Sequence, residues 1–279
     1  MFEGASKGRD RWGHQWRASQ RFRYGLYDGI LARAVPAKQD MVILDIGCGM
    51  GNYTSSISKR YKDARIMGMD ISANAIGYAA KEYSDIDFLV GSLPCLPAKY
   101  GSLDLILCLE TLYYLSANDR KAALARIRES LAEGGRLVVS GGLDDGKKYF
   151  NEKQLITMMS GFEVQSVTYN YALLYARFEK YTLQALDLFE LIRTDRIPSA
   201  KEGEGRTKRG IATKIGLALA SRIARNKKLA NGLSDLMSNA IVRILSWDAP
   251  VKFGYGWTRR FSGEKGKTHI IVIAKNAKE

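Results

Sequence analysis

The chain has 279 residues, 46% of them hydrophobic and 26% charged. That is long enough to bury one large α/β core, alone or with a substantial insertion, and too apolar for wholesale disorder. Lys and Arg outnumber Asp and Glu by 43 to 29, a net charge of +14, so anionic partners are favoured: nucleic acid, an acidic lipid surface or a phosphorylated substrate. The three cysteines, Cys48, Cys95 and Cys108, form no C-x-x-C pair. This excludes a disulfide framework, leaves no zinc or other metal site to expect, and fits a reducing cytoplasm. The first residues carry no apolar signal-like run, and no stretch reaches the ~18 apolar residues needed to span a bilayer. The expectation is a cytoplasmic protein, soluble or peripheral at the inner face of a membrane.

In chain order, residues 1–36 form a basic, aromatic arm with Arg17, Arg21 and Arg23, ending in a helix over 21–35 that Pro36 closes. Residues 41–46 (MVILDI) are a short apolar run stopped by glycines, which predicts a buried parallel strand. A helix follows at 53–61, a strand at 65–69, a helix at 73–83 and a strand at 87–90. Residues 103–109 (LDLILCL) predict a fourth strand, and 118–131 a helix that Glu133-Gly134-Gly135 stops. A fifth strand is expected at 136–140, a short helix at 152–160, a strand at 163–169 and a last strand at 269–274 (HIIVIA).

Strands alternating with helices of this length require right-handed crossovers and a parallel sheet covered on both faces. The domain expectation is an arm at 1–36, a core at 37–170 plus 267–279, and a helical insertion at 171–266. The insertion holds 18 basic and 9 acidic residues, so most of the net charge lies outside the core. Its best helix is 233–245, where apolar residues recur at i, i+3, i+4 and i+7.

The chemistry concentrates at Asp45-Ile46-Gly47-Cys48-Gly49-Met50-Gly51, at the end of the first strand. Three glycines let the backbone turn sharply and approach a ligand at the carboxyl edge of the sheet. A dinucleotide fingerprint wants its third glycine at position 52, where Asn52 stands. An acid such as Asp45 beside the loop can pair with an ammonium group, which S-adenosylmethionine has and nicotinamide dinucleotides lack. Asp70 ends the second strand 19 residues after Gly51, at the distance where an acid accepts hydrogen bonds from a ribose. Alternatively it caps the following helix, a task for which Ser72 is also available. Ile71 is placed to pack on an adenine face.

The ordered set LDIGCGMGNYT, MDIS, SLDLILCLETLYYL and LARIRESLAEGGRLVV, over about residues 40–140, resembles the class I S-adenosylmethionine-dependent methyltransferase family. The resemblance implies a doubly wound α/β fold, with a mostly parallel seven-stranded sheet, an antiparallel last strand and a helical insertion before it. It implies S-adenosyl-L-methionine as cofactor, with the loop of Gly47, Cys48, Gly49 and Gly51 on the methionine moiety and Asp70 on the ribose. Val90, Gly91, Ser92 and Leu93 would line the adenine. Where Ser92 stands, the family often has an acid, so its hydroxyl or a backbone carbonyl must replace that contact.

Methyl transfer to oxygen or nitrogen mainly needs the acceptor positioned and, for some acceptors, deprotonated. Glu110, directly after the fourth strand, has three open roles: general base, amine binder or a hydrogen-bonding partner of its loop. Tyr113 and Tyr114 are candidates to line the methyl channel, with core packing the alternative. The string E-x-L-Y-Y-L is similar to one in nodulation-type N-methyltransferases. Of the two histidines, His269 reads as structural within its strand. His14 is a candidate base in an arm whose arginines can bind the methionine carboxylate, the alternative being a mobile tail. The expected acceptor is a small molecule, sugar or lipid-linked compound, with peripheral contact to anionic membrane. RNA is the alternative, held by the basic insertion. The oligomeric state is not specified by these patterns.

Overall fold

The computed structural model describes residues 16–96, 103–144, 146, 149–194 and 227–276. Helix α1 (Ala18–Ala34) leads into β1 (Val42–Ile46), α2 (Asn52–Arg60), β2 (Arg65–Asp70), α3 (Ala73–Glu82), β3 (Asp87–Val90) and β4 (Leu103–Leu109). Then come α4 (Ala117–Ser130), β5 (Leu131–Gly142), α5 (Glu152–Met158) and β6 (Glu163–Asn170). Three helices, α6 (Leu173–Thr194), α7 (Lys227–Leu245) and α8 (Asp248–Phe261), precede β7 (His269–Lys275). The seven strands form one sheet in the order β3-β2-β1-β4-β5-β7-β6, with β7 antiparallel to both neighbours and the first five parallel.

Alternation along the strands divides the core into two layers. Leu44, Ile46, Ile106, Cys108, Val139 and Val272 point to one face and bury Leu124 and Ile127 of α4 and Leu155 of α5. Ile43, Leu105, Leu107, Val138, Ile271 and Ile273 point to the other, under Tyr27, Ile30 and Leu31 of α1 and Ile57 of α2. Polar side chains set the helix starts: Ser72 Oγ accepts the Ala75 N–H at α3, Ser116 Oγ the Asp119 N–H at α4, and Asn151 with Gln154 makes a capping box at α5. The register of β1 places Ile46 beside Met69 on one side and Cys108 on the other. The carboxyl ends of β1, β2 and β4 therefore open at one edge, where such sheets take ligands.

One expectation is corrected, and one helix is added to those the sequence marked. The fifth strand begins at Leu131 rather than at residue 136. Leu131 already pairs with Leu103, a shift in register follows, and Gly134 turns the chain at positive φ without releasing it from the sheet. Asn276 Nδ2, donating to the carbonyls of Arg128, Leu131 and Ala132, holds this junction. The insertion, in turn, has a helix that the sequence pattern did not indicate, α8. Its Gly254 lies against Tyr175 of α6, where a Cβ would come within 3.1 Å of the Tyr175 Cβ. Among the described residues, no helix is long and apolar enough to cross a membrane.

Candidate active site

The loop after β1 carries its glycines at φ +75° (Gly47), +55° (Gly49) and +78° (Gly51). At Gly47 the conformation and the space agree, since a Cβ there would overlap the Thr111 hydroxyl after β4. At Gly51, which starts α2, a Cβ would come within 2.8 Å of the Phe88 ring. The backbone N–H groups of Gly47 and Cys48 both donate to the Met69 carbonyl, at 2.7 and 3.1 Å, which ties the loop to the end of β2.

Asp70 completes that tie. One carboxylate oxygen accepts the Gly49 N–H at 2.9 Å and the other the Ser72 N–H at 2.8 Å. Ser72, not Asp70, caps α3. Each Asp70 oxygen keeps a lone pair, and the residue is only partly buried, so it remains able to accept from a hydroxyl at the sheet edge. Beside it Ile71 and Val90 are exposed apolar side chains, and Ser92 is half-buried. The Leu93 side chain turns inward and packs in the core with Met69 and Leu96, leaving Ile71 and Val90 as the apolar surface at this edge.

Asp45 stands behind the loop. It is 3% exposed and accepts the Thr54 hydroxyl at 2.6 Å. Burial pushes its carboxyl up to about 6, the Thr54 hydroxyl pulling the other way and Asp70 adding to the rise. Cys48 is half-buried, and burial raises its thiol, so no reactive thiolate stands in the loop.

Next to the loop, at the end of β4, Glu110 sits at φ +56°, a left-handed conformation uncommon for a residue with a side chain. Its carboxylate is the hub of a cluster drawn from distant parts of the chain. Oε2 pairs with Arg23 Nη1 of α1 at 3.2 Å, lies 3.8 Å from His269 Nε2 of β7 and accepts the Tyr113 hydroxyl at 3.4 Å. Oε1 accepts from the Tyr27 hydroxyl at 3.2 Å and the Ser140 hydroxyl at 3.1 Å. Burial works against the ionised carboxyl, but His269, Arg23 and the two hydroxyls outweigh it and hold it below its ordinary value. Glu110 is therefore a held anion. His269, pushed down to about 4 by burial and then by the Arg23 charge, is neutral near neutrality. Among the described residues Arg23 Nε is buried with no hydrogen-bond partner, although the guanidinium is held charged.

The other sequence candidates fall as follows. Tyr114 is half-exposed and tilted against Tyr113, whose ring packs on Tyr149 and Phe150. His14 lies outside the described residues. The arm arginines face acids of this chain: Arg17 pairs with Glu179 at 2.7 Å and Arg21 with Asp248 at 2.6 Å, alongside Arg23 with Glu110. His269, Tyr27 and Ser140 were not among the site candidates. The one available signal was a polar residue beside an apolar run, Ser140 after Leu137–Val139 in β5 and His269 opening β7. A separate cleft of about 520 Å³ lies between α1, β6 and α8, lined among others by Leu26, Arg33, Tyr171, Tyr255 and Arg259; none of the loop residues borders it.

His269 makes a pH prediction. Its folded value, about 4, lies below the ordinary 6.5, so the unfolded chain binds this proton first and His269 costs stability as pH falls through that window. Asp45, raised from 3.8 to about 6, acts in the opposite sense over much of the same range. In His269→Gln the first contribution is gone. The variant is expected to gain on the wild type by up to about 3 kcal/mol between pH 6.5 and 4. Urea unfolding at pH 6.5, 5.5 and 4.5 measures this; parallel curves for the two proteins would contradict the assignment.

Residues 43–135 match the family described as a methyltransferase domain. The trans-aconitate 2-methyltransferase of Deinococcus radiodurans is 32% identical over 110 residues, 39% of this chain and 41% of that protein. The malonyl-[acyl-carrier protein] O-methyltransferase of Hahella chejuensis is 30% identical over 100 residues, 35% of each chain. This chain thus spans about two fifths of the length of the curated relatives it matches. Among solved structures, the N-methyltransferase NodS of Bradyrhizobium japonicum WM9 has the same fold, with a TM-score of 0.51, 21% identity and coverage of 60% of this chain and 87% of that one. That structure contains S-adenosyl-l-homocysteine.

Proposed function

We propose that this chain is a class I S-adenosylmethionine-dependent methyltransferase and transfers a methyl group to an oxygen or nitrogen of an anionic small-molecule, sugar or lipid-linked acceptor. The observation that carries the reading is the contact of two half-sites. The glycine loop, braced by Asp70, meets Thr111 directly beside the Glu110 cluster. The division into an arm (1–36), a core (37–170 with 267–279) and an insertion (171–266) belongs to the same proposal.

The residues at the loop fit the cofactor. When bound, S-adenosylmethionine supplies a methyl group on a positively charged sulfur, open to in-line attack. The loop backbone at Gly47, Cys48, Gly49 and Gly51 takes the methionine moiety, with Asp45 fixing the loop from behind. Asp70 takes ribose hydroxyls, Ile71 and Val90 flank the adenine, and Ser92 offers the polar contact beside it. Asp70→Ala is expected to weaken S-adenosylhomocysteine binding by about 1–3 kcal/mol, read by titration calorimetry. A folded variant with unchanged affinity would remove Asp70 from the site.

At the acceptor end, Arg23 has a buried N–H to offer an anionic group, and Glu110 fixes Arg23 in place. An anion seated on Arg23 offsets the charge that depresses His269, raising the basicity of Nε2 where an acceptor's proton can be received. A carboxylate acceptor needs no base, and the two relatives named for trans-aconitate and a malonyl thioester lend support to an acidic acceptor.

The test incubates pure protein and methyl-labelled S-adenosylmethionine with fractionated cell extract. Label in acidic small-molecule or lipid fractions supports the reading. Ribonuclease-sensitive label would replace it with RNA methylation.

A further inference from the structure

We propose that α8 is a membrane-docking helix that lays an aromatic stripe on an anionic lipid surface. The helix has three arcs. Val251, Gly254 and Thr258 are buried against the rest of the protein. Phe253, Trp257 and Phe261, spaced i, i+4 and i+8, form an adjoining arc and are 64%, 49% and 61% exposed. Their rings make a continuous ladder, with centroids 5.9 Å and 4.5 Å apart. Arg260 borders the stripe, its guanidinium 5.6 Å from the Phe261 ring, and Lys252 and Arg259 lie further round the helix.

A water-facing helix has no use for three neighbouring large aromatic rings, and a contiguous patch of this kind marks an interaction surface. Trp247, 64% exposed at the start of α8, adds a fourth ring, and α7 exposes Leu236 and Ile244 while burying Ile241 and Leu245. Aromatic side chains beside long basic ones suit the boundary between head groups and acyl chains, where rings enter and the cationic ends reach phosphates.

The charges decide the occupant. The only acid within α8, Asp248, is paired with Arg21, whereas no acid among the described residues pairs with Lys252, Arg259 or Arg260. A second copy of the chain would bring these same cations face to face across a two-fold interface. An RNA would need free ring faces for base stacking, whereas each of these rings lies tilted against its neighbour, at 32° and 44°. An acidic lipid surface satisfies both the aromatic stripe and the cations. The proposal does not depend on the identity of the methyl acceptor.

Co-sedimentation of the whole protein with vesicles tests it. One set of vesicles is phosphatidylcholine alone, the other phosphatidylcholine and phosphatidylglycerol in equal parts. The wild type is expected to bind the anionic vesicles only, and F253S/W257S/F261S to lose more than about tenfold in affinity, because the apolar insertion is gone while most of the charge remains. Quenching of wild-type tryptophan emission by brominated phosphatidylglycerol, diminished in W257F, reads the same insertion without the triple variant. No preference of the wild type for anionic vesicles, equal binding by F253S/W257S/F261S, or loss only of RNA binding or of a dimer in that variant would overturn it.

Discussion

Glu110→Ala is expected to destabilise the protein by about 3–5 kcal/mol, the cost of leaving a buried cation unpaired. Arg23 is 9% exposed, and Glu110 is the anion that compensates it, with the Ser140 hydroxyl and the Tyr27 and Tyr113 phenols completing the same carboxylate. Removing the arginine as well should restore most of the loss, since an apolar replacement of a buried pair is often close to neutral. Urea unfolding of Glu110→Ala, Arg23→Met and the combined variant measures the coupling. A loss below about 1 kcal/mol in the single variant would mean that water reaches the guanidinium and the cluster is a surface pair.

The double variant also separates support from chemistry. If the pair only holds α1 against the sheet, recovery of stability brings recovery of methyl transfer. If Arg23 receives the acceptor's anion, the combined variant stays folded, binds S-adenosylhomocysteine normally and shows a large rise in KM for the acceptor. Glu110→Gln divides the case further, because the amide oxygen still accepts from Tyr27 and Ser140 while the charge opposite Arg23 is lost.

The sequence exposed the half of the site that is local in the chain and hid the half that is not. The glycine loop could be read because three glycines interrupt an apolar run within five positions, and Asp70 because it ends the next strand. The Arg23–Glu110–His269 cluster joins α1, β4 and β7, which no periodicity connects. His269 shows in the sequence as one polar residue in HIIVIA, and only the antiparallel insertion of β7 beside β5 brings it to the same edge as Glu110. The arm arginines were expected to face a ligand because their acids, Glu179 and Asp248, lie in the insertion, far along the chain. Helix α8 was hidden by its own packing needs. Pro250, Gly254 and Gly256 break the helical pattern, yet Gly254 is what lets α8 approach Tyr175 of α6. Tertiary contact outweighs propensity there.

Gly47→Ala should have the largest effect on the cofactor end, abolishing measurable S-adenosylhomocysteine binding in a protein of lowered stability. Two costs combine at this position. A side chain at φ +75° costs about 1–2 kcal/mol by itself. The added Cβ also overlaps the Thr111 hydroxyl, which donates to the Leu109 carbonyl at 2.9 Å and lies against the loop. Relief by moving Thr111 would disturb Glu110 next to it, and relief by moving the loop would break the Gly47 and Cys48 hydrogen bonds to Met69. Adding Thr111→Gly to Gly47→Ala removes the overlap and keeps the unfavourable φ. The combined variant should therefore regain part of the stability, leaving about 1–2 kcal/mol of the loss. If Gly47→Ala alone binds S-adenosylhomocysteine as the wild type does, the loop does not approach the ligand at this residue. If the combined variant is no better than the single one, the strain lies in the backbone conformation and not in the contact between the two half-sites.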